Sequence, residues 1–170
     1  MKKIVLCLIV LLITGLASAE SKDAAAALDK LRALNGDWEG TFTWSGARTA
    51  TGKMGAQYYA TGNGSAVVEN LISDGVPTMT SVYHLDGADL RVTHFCGAQN
   101  QPRLKASAID TENGRITFSF VDITNLRSPD AGHVEGLDVR LLAQDHITVT
   151  FHFKAGGKQS DELIDLRRKK

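Results

Sequence analysis

Residues 79–96 read MTSVYHLDGADLRVTHFC, and this stretch predicts a hairpin of two antiparallel strands. Apolar and polar side chains alternate on both sides of the turn at residues 86–89, as they do in half-buried strands. The turn places four pairs opposite each other on one face: Leu85–Leu90, Tyr83–Val92, Ser81–His94 and Met79–Cys96. The other face is more polar, so the paired face is predicted to point into the protein.

The same alternation continues along the chain from residue 37 onward. Short turns rich in glycine, asparagine and aspartate separate the runs, which favours hairpins between neighbouring strands. The ten predicted strands are Trp38–Trp44, Lys53–Thr61, Ser65–Ser73, Thr78–Leu85, Asp89–Phe95, Arg103–Ile109, Arg115–Val121, Val134–Leu142, His146–Lys154 and Glu162–Arg167.

Ten consecutive strands need either closure or division into two sheets, because an open sheet of that width leaves its edge groups unpaired. We predict an all-β fold, a closed antiparallel up-and-down β-barrel of about eight to ten strands, with a two-sheet sandwich as the alternative. Only residues 97–101 and 123–133 form long connections, and the sequence leaves open whether they act as a lid. A barrel of this size is wide enough to hold one small ligand.

The first residues carry the pattern of a cleaved signal peptide. Residues 1–19 combine a basic start, an apolar run at 4–13 and Ala-Ser-Ala at 17–19. The apolar run is too short for a helix across a bilayer, which needs about 20 residues. We therefore expect a periplasmic or secreted protein without stable membrane insertion, with a short helix in residues 20–36 and the barrel in residues 37–170.

The amino-acid composition bears on two further properties, the class of partner and the possibility of a disulfide. The chain has 19 basic and 19 acidic side chains, whereas a nucleic-acid-binding domain is usually clearly basic. We therefore expect no nucleic-acid partner. Cys96 is the only cysteine outside the signal peptide, so no internal disulfide can form. The oligomeric state is left open.

The predicted interior places a few polar side chains among aromatic ones, which is typical of a site for a small hydrophobic ligand. The predicted ligand-binding residues are Tyr83, His94, Cys96, Arg103, Phe118, Phe120 and Phe151. An inward histidine is more often a hydrogen-bonded structural residue than a ligand contact, so each polar position also has a purely structural interpretation.

The sequence predicts no catalytic residue and no metal site. His94 and Cys96 are two residues apart on one strand, so their side chains lie roughly 7 Å apart, too far for a nucleophile and its base. Together with His133 they do not form a spacing typical of zinc sites.

Two alternative functions remain. An enzyme would use His94 and Asp122 as acid and base groups at the barrel mouth, although the sequence lacks the common hydrolase, phosphate-loop and dinucleotide motifs. A protein that acts at the cell envelope through its surface alone would have no cavity large enough for a ligand.

Residues 35–40 read NGDWEG and follow the predicted helix directly. This stretch resembles the Gly-x-Trp start of the calycin superfamily, which includes lipocalin-like and nitrobindin-like barrels. The resemblance implies that Trp38 closes the base of the barrel beside a basic residue, for which Arg140 and Arg167 are the candidates. Residues 83–87, 93–96 and 100–103 are also similar to uncharacterised bacterial exported proteins of lipocalin-like type.

The resemblance to nitrobindin-like proteins implies heme as a candidate ligand, held by a histidine. The sequence has no clear match for their heme-ligand segment, although His94, His133 and His152 are available. A fatty acid is the other candidate, with Arg103 or Tyr83 at its carboxylate. We therefore expect an exported barrel that carries or senses a hydrophobic or amphipathic molecule, with no cofactor assigned with certainty.

Overall fold

The computed structural model of the chain describes residues 22–170 and contains one helix followed by ten strands. The helix, α1, covers residues 22–32. The strands are β1 Gly36–Gly46, β2 Ala50–Thr61, β3 Ala66–Ser73, β4 Val76–Asp86, β5 Asp89–Phe95, β6 Gln101–Asp110, β7 Arg115–Thr124, β8 His133–Ala143, β9 His146–Ala155 and β10 Lys158–Arg168. All ten predicted strands are present. The signal peptide predicted for residues 1–19 lies outside the described residues and stays a prediction.

The strands form a closed antiparallel barrel in which each strand pairs with its neighbours in sequence and β1 pairs with β10. The predicted up-and-down barrel is therefore confirmed, and the sandwich alternative is wrong. Closure pairs Trp38 with Arg168 at one end of β1 and Gly46 with Ser160 at the other. Because every strand has two neighbours, closure leaves no sheet edge open.

The hairpin of β4 and β5 has the register that its sequence predicts. Ser81 lies opposite His94, and Tyr83 lies opposite Val92. These four side chains are buried, which confirms the inward face at these positions. Near the turn Leu85 is 37% exposed, and the pairing of the two strands stops at Thr80–Phe95, before the predicted pair Met79–Cys96. The turn between the strands contains Gly87 at a φ of 61°, a conformation that glycine adopts at little cost.

Helix α1 covers the end of the barrel at which β1 begins, called here the closed end. Ala27, Leu28 and Leu31 form its buried face and belong to the same core as the barrel interior. The Arg32 side chain donates a 2.8 Å hydrogen bond to the Gly64 carbonyl, in the turn between β2 and β3. The leucines at three-residue steps in the sequence thus form the stripe that seals this end.

Trp38 and Arg168 join the helix to the two strands that close the barrel. The Trp38 indole donates a 2.9 Å hydrogen bond to the Leu34 carbonyl, and the Arg168 guanidinium lies 4.4 Å from the indole centroid. Arg168 also donates to the carbonyls of Ala33, at 3.0 Å, and Asn35, at 2.6 Å. These bonds satisfy carbonyls at the end of the helix that have no helical partner.

The basic partner of Trp38 was predicted as Arg140 or Arg167, and both assignments are wrong. The register of β1 on β10 sets Arg168 opposite Trp38, whereas Arg167 lies opposite Glu39 and is exposed. Arg140 lies on β8, which does not pair with β1. Gly36, at a φ of 124°, leaves room for the guanidinium, because a Cβ atom there would lie 3.2 Å from Arg168 Nη1.

At the opposite end, called here the open end, the two long loops contact each other. Asn100 donates a 2.8 Å hydrogen bond to the Gly132 carbonyl, and Asn125 donates a 2.6 Å bond to the Gln99 carbonyl. The loop between β5 and β6 and the loop between β7 and β8 are therefore hydrogen-bonded to each other. Within residues 22–170, the only helix is too short to cross a membrane.

Replacing Arg168 by alanine is expected to lower the free energy of unfolding by about 2 kcal/mol, because it removes the contact with the indole and two hydrogen bonds to carbonyls. The matched control is Arg167→Ala, which removes an exposed arginine one position earlier and is expected to cost less than about 0.5 kcal/mol. Urea denaturation measures both variants. Equal losses would contradict the role assigned to Arg168.

Candidate functional site

A cavity of about 420 Å³ lies at the open end of the barrel. It is bounded by residues in the last parts of β1, β3, β5 and β9, by residues in the first parts of β2, β4, β8 and β10, and by residues between strands at positions 48 and 96–98. Its wall is largely aromatic and aliphatic, with Phe42, Phe151, Phe153, Met54 and Met79 among the lining residues. Ligand pockets typically have volumes of roughly 300–1,000 Å³ and walls of this kind.

His94 is a fully buried polar residue of the cavity wall. Its Nδ1 atom lies 3.0 Å from Ser81 Oγ, and its ring lies against Phe151 with 4.6 Å between the centroids. The Nε2 atom is buried and has no hydrogen-bond partner within residues 22–170. Burial lowers the pKa of His94 to about 4, because a charged imidazolium would be desolvated there. The imidazole is therefore neutral at pH 7.

A buried carboxylate stands behind His94. Glu69 is fully buried on β3 and accepts hydrogen bonds from the hydroxyls of Tyr58, at 2.5 Å, and Tyr83, at 3.0 Å. Burial raises the pKa of Glu69, and hydrogen bonds from both tyrosines and from Ser81 partly offset that rise. Ser81 thereby links Glu69 to His94.

Glu69 is not among the residues predicted from the sequence, although the pattern of β3 contains a signal for it. Val67, Glu69 and Leu71 alternate on one face, so a carboxylate stands in the middle of an apolar inward stripe. A buried carboxylate is costly unless several donors surround it. The two tyrosines and Ser81, which supply those donors, come from β2 and β4, the strands on either side of β3.

Arg48 and Glu162 form a second polar region of the cavity wall, and neither was predicted from the sequence. The Arg48 guanidinium lies 4.1 Å from the ring centroid of Trp44, and Glu162 is only 5% exposed. Burial raises the pKa of Glu162, while the positive charge of Arg48 and a hydrogen bond with Trp44 lower it. Arg48 lies between β1 and β2, where the sequence indicates only a turn.

The structure brings three of the predicted ligand-binding residues together, since His94, Cys96 and Phe151 all line the cavity. Burial raises the pKa of the Cys96 thiol. Tyr83 is also buried in the interior, but its hydroxyl binds Glu69, and Phe118 packs on Tyr83 with 5.9 Å between ring centroids. Tyr83 and Phe118 therefore support the site from behind, without lining the cavity.

Arg103 does not lie in the interior. Its guanidinium makes two hydrogen bonds to Asp122, at 2.5 and 2.7 Å, and the side chains of both residues are about half exposed. Arg103 pairs with Thr93 on β5, one position away from the inward His94, so strand alternation directs it outward. Arg103 is thus not a cavity contact, and the acid–base pair of His94 and Asp122 is not assembled.

Phe120 continues the alternation of Ile116 and Phe118, yet it is 39% exposed and does not line the cavity. The pairing of β7 with β8 ends at Ser119, so Phe120 lies beyond the continuous wall and packs against His133 at 5.9 Å between ring centroids. Its predicted place in the cavity wall is therefore wrong. Strand alternation by itself could not show where the pairing ends.

The other histidines considered from the sequence lie outside the cavity. His133 contacts the Ala131 carbonyl through Nδ1 at 2.8 Å. His152 lies between Asp161 and Asp138, and hydrogen bonds to both carboxylates raise its pKa although partial burial opposes that rise. In the part of the chain that the structure describes, no group of three His, Cys, Asp or Glu side chains is placed to hold a metal ion.

Comparison with known proteins supports the fold alone. Rv2717c from M. tuberculosis has a similar structure, with a TM-score of 0.55 and 18% sequence identity over 85% of this chain and 98% of that protein. A protein of unknown function from the DUF3598 family of Nostoc punctiforme gives a TM-score of 0.55 and 18% identity over 81% of this chain, but only 48% of its own length is covered. No family model matches the sequence, and no curated protein does.

The lowered pKa of His94 predicts a loss of stability in acid. Between the unfolded pKa of about 6.5 and the folded pKa of about 4, the unfolded chain binds a proton that the folded protein excludes. Acidification through this range should therefore remove on the order of 3 kcal/mol of stability. His94→Phe should abolish this part of the pH dependence in urea denaturation, whereas the control His84→Gln, on the outer face, should retain it. Parallel curves for wild type and His94→Phe would contradict the assignment.

Proposed function

We propose that this protein binds a small hydrophobic or amphipathic molecule in the open-end cavity and carries or senses it. The observation that supports this most directly is a cavity of about 420 Å³ with an apolar wall and a few polar groups. The closed half of the barrel is filled by large side chains such as Trp38, Tyr58 and Tyr83. A barrel acting only through its surface would have no reason to keep the other half open.

The proposed compartment is periplasmic or extracellular, and it rests on the signal-peptide pattern of residues 1–19. A calycin-type assignment is also part of the proposal. The contact of Arg168 with Trp38 at the closed end supports it, because the Gly-x-Trp resemblance implies a basic residue at that place. The TM-score of 0.55 with Rv2717c agrees with a barrel of this general kind.

The ligand is more consistent with a neutral molecule than with a fatty acid carboxylate. The two side chains expected to receive a carboxylate are not available, since Arg103 lies outside and the Tyr83 hydroxyl binds Glu69. Arg48 is the only cationic side chain of the cavity wall among residues 22–170, and it lies near the buried Glu162. A free fatty acid anion would therefore have to share this one cationic partner with Glu162.

Heme is a second candidate, and one specific observation favours it. The Nε2 atom of the neutral His94, which has no partner among the described residues, would bind the heme iron, with Phe151 beside the ring and Arg48 available for one propionate. When bound, heme would supply gas binding or electron transfer. His133 and His152 do not line the cavity, so His94 is the histidine proposed for this role.

Native mass spectrometry of the mature protein, purified from an exported preparation, tests the proposal. We expect a small molecule to accompany the protein, or added naphthalene or heme to bind after the protein is stripped. Ala98→Trp should weaken binding at least tenfold, because residue 98 lines the cavity and the indole would occupy its volume.

The matched control is Ala60→Trp, which places the same side chain at an exposed position of β2 outside the cavity and should bind as wild type does. Equal binding by both variants would place the ligand elsewhere. An unliganded mass that neither naphthalene nor heme changes would contradict the proposed function and favour the surface-interaction alternative. A heme Soret band that persists in His94→Phe would contradict the heme candidate alone.

A further inference from the structure

The presence of a binding cavity does not by itself explain why a nitrogen of His94 is buried without a hydrogen-bond partner among the described residues. The residue lines the cavity and is fully buried, yet its Nε2 atom has no hydrogen-bond partner among the described residues. Native proteins rarely bury a polar atom without a partner, and such atoms are concentrated at functional sites. Two further buried atoms lack partners in residues 22–170, Arg91 Nε and Asn100 Oδ1, but neither residue lines the cavity.

The hydrogen-bond network behind His94 determines which of its nitrogens carries the proton. The hydroxyls of Tyr58 and Tyr83 are directed at the two different oxygens of Glu69. Burial and the charge of Glu69 raise the pKa of both phenols, so both remain protonated and donate. Glu69 therefore acts as an acceptor on both oxygens.

Ser81 lies between Glu69 and His94 and has a single hydroxyl proton. Ser81 lies directly opposite Glu69 in the pairing of β3 with β4, and we assign its proton to the carboxylate, which accepts a charge-assisted bond more strongly than a neutral imidazole does. The Ser81 oxygen then accepts from Nδ1–H of His94 across 3.0 Å. The tautomer assigned by this network has a proton on Nδ1 and a lone pair on Nε2.

Among residues 22–170, no side chain of the cavity wall donates a hydrogen bond to that lone pair. The Arg48 guanidinium is stacked on Trp44, and the donors of Ser73, Thr78 and Cys96 make no hydrogen bond to Nε2. Because Nε2 is enclosed, a ligand donor reaches it only when a neighbouring side chain of the wall moves aside, and it then meets little competition from bulk water.

We infer that the cavity selects a neutral, largely apolar ligand that brings one hydroxyl or N–H donor to His94 Nε2, and that Ser81 and Glu69 are positioning residues for this contact. The inference rests on the proposed function and specifies its ligand chemistry. It also predicts discrimination against anionic ligands, since a carboxylate has no proton to donate to the lone pair of His94.

Four naphthalene derivatives of similar size test the selection. Naphthalene is apolar, 2-naphthol is a neutral donor, 2-methoxynaphthalene is an acceptor only, and 2-naphthoate is an anion. Calorimetry on the stripped wild-type protein at pH 7 should show 2-naphthol binding about tenfold more tightly than 2-methoxynaphthalene, the factor expected for one buried hydrogen bond. 2-Naphthoate should bind more weakly than naphthalene.

His94→Phe should remove the preference for 2-naphthol over 2-methoxynaphthalene, because the phenyl ring has no nitrogen lone pair to accept the hydroxyl proton. Ser81→Ala should reduce the preference in the same direction while retaining His94, since Nδ1–H then loses its acceptor. Equal affinities of 2-naphthol and 2-methoxynaphthalene for the wild type would overturn the inference but leave the proposed function intact. Failure of all four probes to bind would overturn both.

Nitrogen-15 NMR of the wild-type protein provides a measurement that does not depend on whether a variant folds. The imidazole nitrogens of His94 should show a protonated Nδ1 and an unprotonated Nε2 at pH 7. Addition of 2-naphthol should shift the Nε2 resonance more than that of Nδ1. A protonated Nε2 in the free protein, or an Nε2 resonance unaffected by bound 2-naphthol, would overturn the inference.

Discussion

The pairing of β1 with β10 is the contact on which the rest of the structure depends. It closes the sheet, so no strand edge remains open, and it places Arg168 opposite Trp38. Through that pair the last strand is joined to the end of helix α1, where Arg168 donates to two carbonyls. Closure thus seals one end of the barrel with the helix and an aromatic layer. The cavity lies at the other end, where Gly97 and Ala98 of the loop between β5 and β6 border it.

The two halves of the interior differ in how they satisfy polar groups. Near the middle, Glu69 is buried at an energetic cost that hydrogen bonds from Tyr58 and Tyr83 offset. A hydrophobic side chain of similar volume would fill this space with less cost, so the carboxylate is not needed for packing. Its position next to Ser81, which in turn contacts His94, gives it a role in orienting the histidine that borders the cavity. The buried network therefore belongs to the proposed binding site as well as to the core.

Much of the fold could be predicted, because strand alternation and turn residues are local features. All ten strands were predicted, and so was the register that sets Ser81 opposite His94. The site was only partly predictable. His94, Cys96 and Phe151 line the cavity, because alternation indicates the inward face of β5 and β9, with Cys96 one residue beyond the end of β5. Arg103 and Phe120 were misplaced, because the outward pairing of Arg103 and the end of the β7–β8 pairing depend on neighbouring strands. Glu69 was missed because its donors come from two other strands.

The sequence by itself determined the strand count, the short N-terminal helix and the inward face of each clear hairpin, since these follow from periodicity and turn chemistry within a few residues. Tertiary structure decided which arginine meets Trp38 and where the barrel remains open. It also placed Ser81 opposite Glu69 and within hydrogen-bond distance of His94. Those features depend on strand register and closure between residues far apart in sequence. The inferred lone pair on Nε2 of His94 also depends on tertiary structure, because it results from groups on three neighbouring strands, β3, β4 and β5.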